Sequence, residues 1–102
     1  MIAAIREHGE ALETLCRQFR VRRLELFGSA VSEEFDPKTS DLDFLVEFEE
    51  LEPETCADTY FGLLEELSAL FQRKVDLVMV SAVKNPYFLE SIERSRTLLY
   101  AA

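Results

Sequence analysis

The spacing of apolar residues divides the chain into segments. Ile2, Ile5, Leu12, Leu15, Cys16 and Phe19 fall on one stripe at helical spacing. That predicts an amphipathic helix over 2–19, interrupted by Gly9, which costs about 1 kcal/mol against alanine in a helix interior. The rhythm then changes. Val21, Leu24, Leu26 and Phe27 predict a strand over 21–27 that stops at Gly28. Residues 29–34 suit one short helical turn, and Phe35-Asp36-Pro37-Lys38-Thr39-Ser40 reads as loop, with Asp-Pro as the turn signal. A second strand is expected over 41–48. Its interior, Phe44-Leu45-Val46, is nearly continuous in apolar residues, as in a central strand. Pro53 fits the first turn of a long helix, with Cys56, Tyr60, Leu63, Leu64, Leu67, Leu70 and Phe71 as its stripe and Gln72-Arg73-Lys74 as its end. Val75 to Val80 predicts a third strand. Asn85-Pro86 reads as N-cap and first-turn proline of a last helix near 86–95. Leu98-Leu99-Tyr100 then forms either a short closing strand or a packed tail.

This order of elements predicts an α/β (α+β) fold, a small mixed sheet of three to four strands with helices packed on it. A strand, long helix, strand connection usually builds parallel neighbours with a right-handed crossover. The strands at 41–48 and 75–80 are therefore expected side by side or nearly so. A length of 102 residues suits one domain, 1–102, with one core.

Composition narrows the function classes. With 48% apolar and 30% charged residues the chain reads as soluble and globular. No apolar run approaches the roughly 20 residues needed to span a bilayer, and the N-terminus lacks the basic flank and long apolar stretch of a secretory signal. A net charge of −9 argues against a general grip on nucleic acid, whose phosphates are bound by Lys and Arg, and against an anionic membrane surface. It leaves open a small anion at one local site and a basic protein partner. Cys16 and Cys56 sit at apolar helical positions and read as buried free thiols in a reducing cytoplasm. His8 stands without a second His or Cys near it, so it reads as a solvated helix residue and not a zinc ligand.

The charged residues inside apolar strands carry the chemistry. Side chains alternate along a strand with period two, so Asp41 and Asp43 point to the same face. Like charges on one face repel, and a bound divalent cation is the simplest group to offset that. Asp76, between Val75 and Leu77, lies near the start of its strand, as Asp41 and Asp43 do in theirs. In parallel neighbours the three carboxylates can meet at one edge of the sheet, where they raise one another's pKa unless a cation neutralises them. Hard oxygen ligands suit Mg²⁺, which takes further ligands from water and substrate phosphates. Two such ions about 3.5–4 Å apart can bind the attacking and leaving oxygens of an in-line nucleotidyl transfer. Gly28-Ser29 complements them, because glycine admits a ligand close to the backbone, the following amides face a phosphate, and serine adds a hydroxyl. The phosphate chain of a nucleotide can then run from this turn to the aspartates.

The order Phe27-Gly28-Ser29, then Asp41-Leu42-Asp43, then Asp76 resembles the minimal nucleotidyltransferase domains of the polymerase-beta superfamily, and the resemblance covers nearly the whole chain. It is similar to the stand-alone members that act as antitoxins to HEPN-domain toxins. The resemblance implies a polymerase-beta-like fold, with Asp41, Asp43 and Asp76 as catalytic ligands of two Mg²⁺ ions and Asp76 also as base. It implies Gly28 and Ser29 as the phosphate turn, ATP as substrate, and transfer of AMP to a tyrosine hydroxyl of a HEPN partner. A cytoplasmic protein in a homo- or hetero-oligomer, without nucleic acid or membrane, fits that picture. The chain departs from the usual pattern in two places. Eleven residues separate Ser29 from Asp41, one more than is common. Ala30-Val31-Ser32-Glu33-Glu34 replaces the usual basic residue and glycine; Arg22, Arg23, Lys38 and Arg73 are the candidate replacements, each otherwise solvated surface.

Two functions compete. One is an active protein adenylyltransferase. The other is an idle antitoxin that neutralises its partner by complex formation. Retention of all three aspartates favours activity, since their repulsion would otherwise be a pure cost. A small-molecule transferase would need a further helical domain for its acceptor. The acceptor surface is expected to come from a partner, with Tyr87 and Phe88 as candidate contacts and core packing as the favoured reading of both.

Overall fold

A computed structural model describes residues 3–28, 42–80, 85–87, 90 and 96–102. Its elements are α1 (Ala3–Glu7), α2 (Gly9–Gln18), β1 (Val21–Phe27), β2 (Leu42–Phe48), α3 (Pro53–Phe71), β3 (Val75–Met79) and β4 (Thr97–Ala101). The strands form one mixed sheet in the order β3-β2-β1-β4. The β2–β3 pair is parallel, as the long intervening helix requires, and β1 runs antiparallel to both its neighbours.

The expected N-terminal helix is two helices broken at His8. The break falls where propensity is weakest, because Gly9 follows and is the first residue of α2. His8 is the N-cap and its carbonyl accepts the Leu12 amide at 2.9 Å. Its ring packs edge-on against Phe71, with centroids 5.5 Å apart. His8 is therefore half-buried and not solvated, since an aromatic contact gives its ring a better place than water.

The period of two divides each strand between two faces. Leu24 and Leu26 of β1, Leu42, Phe44 and Val46 of β2, and Val75 and Leu77 of β3 join Leu12 and Cys16 of α2 and Leu63, Leu67 and Phe71 of α3 in the main core. The opposite face carries Phe27 and Leu45, with Val78 packed on them. The alternation in β1 is imperfect because the register slips between Val21 and Arg23. A bulge inserts one residue there, which is why Val21 and Leu24, three apart, both lie in the core while Arg22 and Arg23 are exposed.

α3 begins at Pro53, as expected, after an extended Glu52 whose carbonyl accepts the Thr55 and Cys56 amides. It ends at Gln72 in the left-handed region, φ 52°. The tail forms β4. Of the last expected helix, Pro86, Tyr87 and Glu90 are helical, and the Asn85 side-chain oxygen accepts the Tyr87 amide at 2.9 Å, the bond an N-cap makes. The remainder, with Phe88, lies outside the described residues, as do the turn at 29–34 and the loop at 35–40. Tyr87 does not pack in the core, because 82% of it is exposed.

Both cysteines are free, but only Cys16 is fully buried; Cys56 is half-buried, because its place one turn into α3 lies beyond the Leu63-Leu67-Phe71 row. Burial, with a smaller contribution from Glu13, pushes the Cys16 thiol up from 9.0 to about 12. The neutral thiol is thus favoured in the folded state. Its contribution is complete below the unfolded value and is lost as pH rises from about 9 towards 12, with a slope of about 1.4 kcal/mol per pH unit. Urea unfolding in steps above pH ~9 should show this decline, and Cys16→Ala, though less stable throughout, should lose that component.

Candidate active site

β2 and β3 bring two of the predicted carboxylates together. Asp43 is the register partner of Asp76 across the parallel pair, and Phe27 is the partner of Asp43 on the other side. Neighbouring strands lie about 4.8 Å apart, so Asp43 and Asp76 are one strand spacing apart. Both alternate with core residues, Leu42 and Phe44 for one and Val75 and Leu77 for the other, which turns them to the face away from the helices. Asp43 is half-buried and Asp76 exposed.

Gly28 closes this end of β1 with φ 76°, a conformation that costs a side-chain-bearing residue roughly 1–2 kcal/mol. Space adds a second reason for glycine. A Cβ at this position would stand 2.5 Å from Asp43 Oδ2. The backbone turn and the carboxylate are thus pressed together, and only glycine permits it.

Beside the pair lies a cleft of about 420 Å³ whose walls include Phe27, Asp43, Tyr60 and Asp76. Tyr60 donates its hydroxyl to the Leu77 carbonyl, which satisfies an acceptor on the outer strand β3 and fixes the wall. Ser29 and Asp41 lie outside the described residues. Among the described residues no three His, Cys, Asp or Glu side chains are grouped to hold a metal. The pair that is described nevertheless suits Mg²⁺ by chemistry, being two hard oxygen donors on one face beside an open cleft.

One charged group on the same face escaped the sequence reading. Glu25, in the middle of β1, is 3% exposed and is held by Arg96, with Nε 2.6 Å from Oε2 and Nη2 2.8 Å from Oε1. Arg23 Nε lies 3.5 Å from Oε1. The signal was available, because Glu25 stands between Leu24 and Leu26 as Asp76 stands between Val75 and Leu77. Of the arginines considered as replacements for a missing cation, Arg22 pairs with Glu47 at 3.3 Å.

The nucleotidyltransferase domain family matches residues 9–99, a span that takes in Gly28, Asp43, Asp76, the first three strands and the start of β4. The chain belongs to this family. The nucleotidyltransferase is 40% identical over 89 residues to a "Putative protein adenylyltransferase" of Methanocaldococcus jannaschii, covering 87% of this chain and 84% of that protein. Among solved structures it is similar to one described as a "putative minimal nucleotidyltransferase", with 29% identity, TM-score 0.74, and coverage of 91% of this chain and 90% of that one. It shares its fold with a chain of the complex of tri-AMPylated Shewanella oneidensis HEPN toxin with MNT antitoxin. There the identity is 18%, the TM-score 0.65, and the coverage 96% of this chain and 73% of that one. No described helix of the nucleotidyltransferase is long and apolar enough to cross a membrane.

Proposed function

We propose that this nucleotidyltransferase is a cytoplasmic, Mg²⁺-dependent protein adenylyltransferase. In this reading it is the antitoxin of a HEPN toxin and moves AMP from ATP to a tyrosine hydroxyl of that partner. The observation that carries the reading is the alignment of Asp43 with Asp76 beside the Gly28 turn. In the reaction the tyrosine oxygen attacks the α-phosphorus of ATP, a new P–O bond forms, and the bond from that phosphorus to the β-phosphate's bridging oxygen breaks. Pyrophosphate leaves with the electron pair, and the tyrosine proton passes to the Asp76 carboxylate. Asp41, Asp43 and Asp76 would hold two Mg²⁺ ions, which supply charge neutralisation at the attacking and leaving oxygens. Gly28 and Ser29 would position the phosphates.

Identity to the Methanocaldococcus adenylyltransferase supports the reaction class, and the fold shared with an antitoxin chain supports the partner. The exposed Tyr87 ring supports a contact with that partner. The test uses the purified protein, Mg²⁺, ATP and the HEPN protein encoded beside it. Intact mass should show the partner gaining one adenylyl group per modified residue, and peptide mapping should place it on tyrosine. A stable complex with no mass gain would instead establish an idle antitoxin.

Gly28→Ala offers a sharper check on the site. The added methyl must displace the Asp43 carboxylate, and a misplacement of about 1 Å costs on the order of 10²-fold in rate. AMP transfer should fall by about that factor, while backbone strain lowers stability by only about 1–2 kcal/mol. Unchanged kinetics would place the chemistry elsewhere.

A further inference from the structure

We infer that the exposed Phe61 ring and the carboxylates flanking it on α3 form the surface on which the acceptor protein docks, and that the segment docking there is basic. This rests on the reading of the site as a protein adenylyltransferase, and it names where the acceptor enters and what charge it carries.

The strands set the direction of approach. Phe27, Asp43 and Asp76 are register partners in one row across β1, β2 and β3, with Gly28 at the β1 end. An in-line displacement needs the attacking oxygen opposite the departing one. With the phosphates at Gly28, pyrophosphate departs towards β1, and the acceptor hydroxyl enters from the β3 side, past Asp76. On that side stands α3. The Lys74 carbonyl accepts the Leu42 amide and so faces β2. Carbonyl directions alternate along a strand, so the Leu77 carbonyl, three residues on, faces outward. Tyr60 donates its hydroxyl to that carbonyl and thus stands beyond the edge strand, where it lines the cleft with Leu64. Phe61 packs edge-on against Tyr60, with ring centroids 5.1 Å apart, and is 63% exposed. A lone apolar residue is ordinary on a surface, but this ring continues the wall of the cleft out onto α3.

The residues around the ring define the partner's chemistry. Glu54, Asp58, Phe61 and Glu65 recur at intervals of four, three and four, which puts them on one face of the helix, and all four are exposed. From Pro53 to Phe71 there is no Lys, Arg or His. Among the described residues Glu13, Glu49 and Glu47 each pair with an arginine, whereas the three carboxylates of this face form no ion pair. Glu54 gains from the positive end of the helix dipole, but Asp58 and Glu65 lie beyond the first turn, where that benefit has faded. Helix stability therefore explains neither of them, nor a large ring left in water. An aromatic anchor inside a polar rim is the composition of a protein-binding patch, and positive charge is what complements this rim. Two copies of the chain set face to face here would oppose carboxylates to carboxylates. The net charge of −9 adds to that repulsion, while it draws a basic partner in.

The test is steady-state AMP transfer from ATP with Mg²⁺ to the HEPN protein encoded beside this chain, with kcat and KM measured for that acceptor and KM for ATP. Asp58→Lys with Glu65→Lys should raise the acceptor KM by about ten- to a hundredfold, and Phe61→Ser should raise it by about tenfold. All three positions are exposed, so the substitutions leave the core untouched. kcat at saturating acceptor and KM for ATP should stay within about twofold, as for groups that hold the acceptor equally in the ground and transition states. The wild-type acceptor KM should rise as NaCl goes from about 0.1 to about 1 M and the screening length falls from about 10 to about 3 Å. The doubly substituted protein should lose that rise. A wild-type acceptor KM in either variant would overturn the inference and leave the transferase reading intact. A fall in kcat with KM unchanged would overturn it too, since the face would then act on the chemistry and not on docking. No AMP transfer by the wild-type protein would overturn the transferase reading, and this inference with it.

Discussion

Asp43→Asn should lower AMP transfer by about three orders of magnitude, the scale of losing a group that acts directly on the reacting centre, with the fold intact. The carboxylate lies one strand spacing from Asp76 and against Gly28, so no other described carboxylate can take its place beside the turn. Asparagine keeps the shape and one oxygen but removes the charge, which is what a hard cation and its bound phosphate require. Stability should move the other way. Like charges directly opposite on neighbouring strands cost roughly 0.2–1 kcal/mol, and removing one relieves that repulsion. For a chain of this length the melting temperature should then rise by up to about 4 °C without Mg²⁺, and the rise should shrink when Mg²⁺ is added to both proteins. Asp76→Asn should behave alike, and the double variant should gain no more than either alone, because one neutral partner already ends the repulsion. Intact-mass kinetics and paired melting curves, with and without Mg²⁺, measure both effects. Full activity in Asp43→Asn would remove the site from this face of the sheet.

Phe44→Ala should cost about 3–5 kcal/mol of stability, a large share of the 5–15 kcal/mol typical of a domain. Phe44 is wholly buried in β2 and stacks on Phe71 at the end of α3, with ring centroids 5.9 Å apart. Phe71 in turn carries the edge of His8, so one ring ties the central strand to the end of α3 and to the junction of α1 and α2. Truncation leaves a cavity that the sheet cannot close without moving β2. Denaturant unfolding should show a lower midpoint with an unchanged slope, and AMP transfer should be lost in proportion to the unfolded fraction. Asp43→Asn and Phe44→Ala are adjacent positions with opposite signatures. One is inactive and stable, the other unstable but competent when folded, because successive residues of a strand face opposite sides.

Much of this arrangement is written locally. Helical spacing located α2 and α3, and Pro53, Asn85 and Gln72 marked ends that the structure shows at those positions, because caps and periodicity depend on a few neighbouring residues. The apolar run 44–46 correctly announced a central strand, and the length of α3 announced its parallel neighbour. The charged interruptions of apolar strands were legible as well. Asp43 and Asp76 were read, with Asp41, as carboxylates meeting at one edge of the sheet, while Glu25, the same kind of signal one strand earlier, was not singled out.

The sequence by itself determined the order of the strands and of the long helix, the shared face of the strand aspartates, the acidic net charge, and the meeting of carboxylates at one sheet edge once parallel strands were inferred. Tertiary structure decided the rest. It seated the His8 ring, at the break that Gly9 favours locally, on Phe71, 63 residues away. It pressed Gly28 against Asp43, and it added β4 beside β1, which is what carries Arg96 to Glu25 across a separation of 71 residues. Local propensity holds no information about such partners. Strand order and the matching of buried charges are chosen by the free energy of the whole sheet, where an unpaired carboxylate in mid-strand is too costly to leave without its cation.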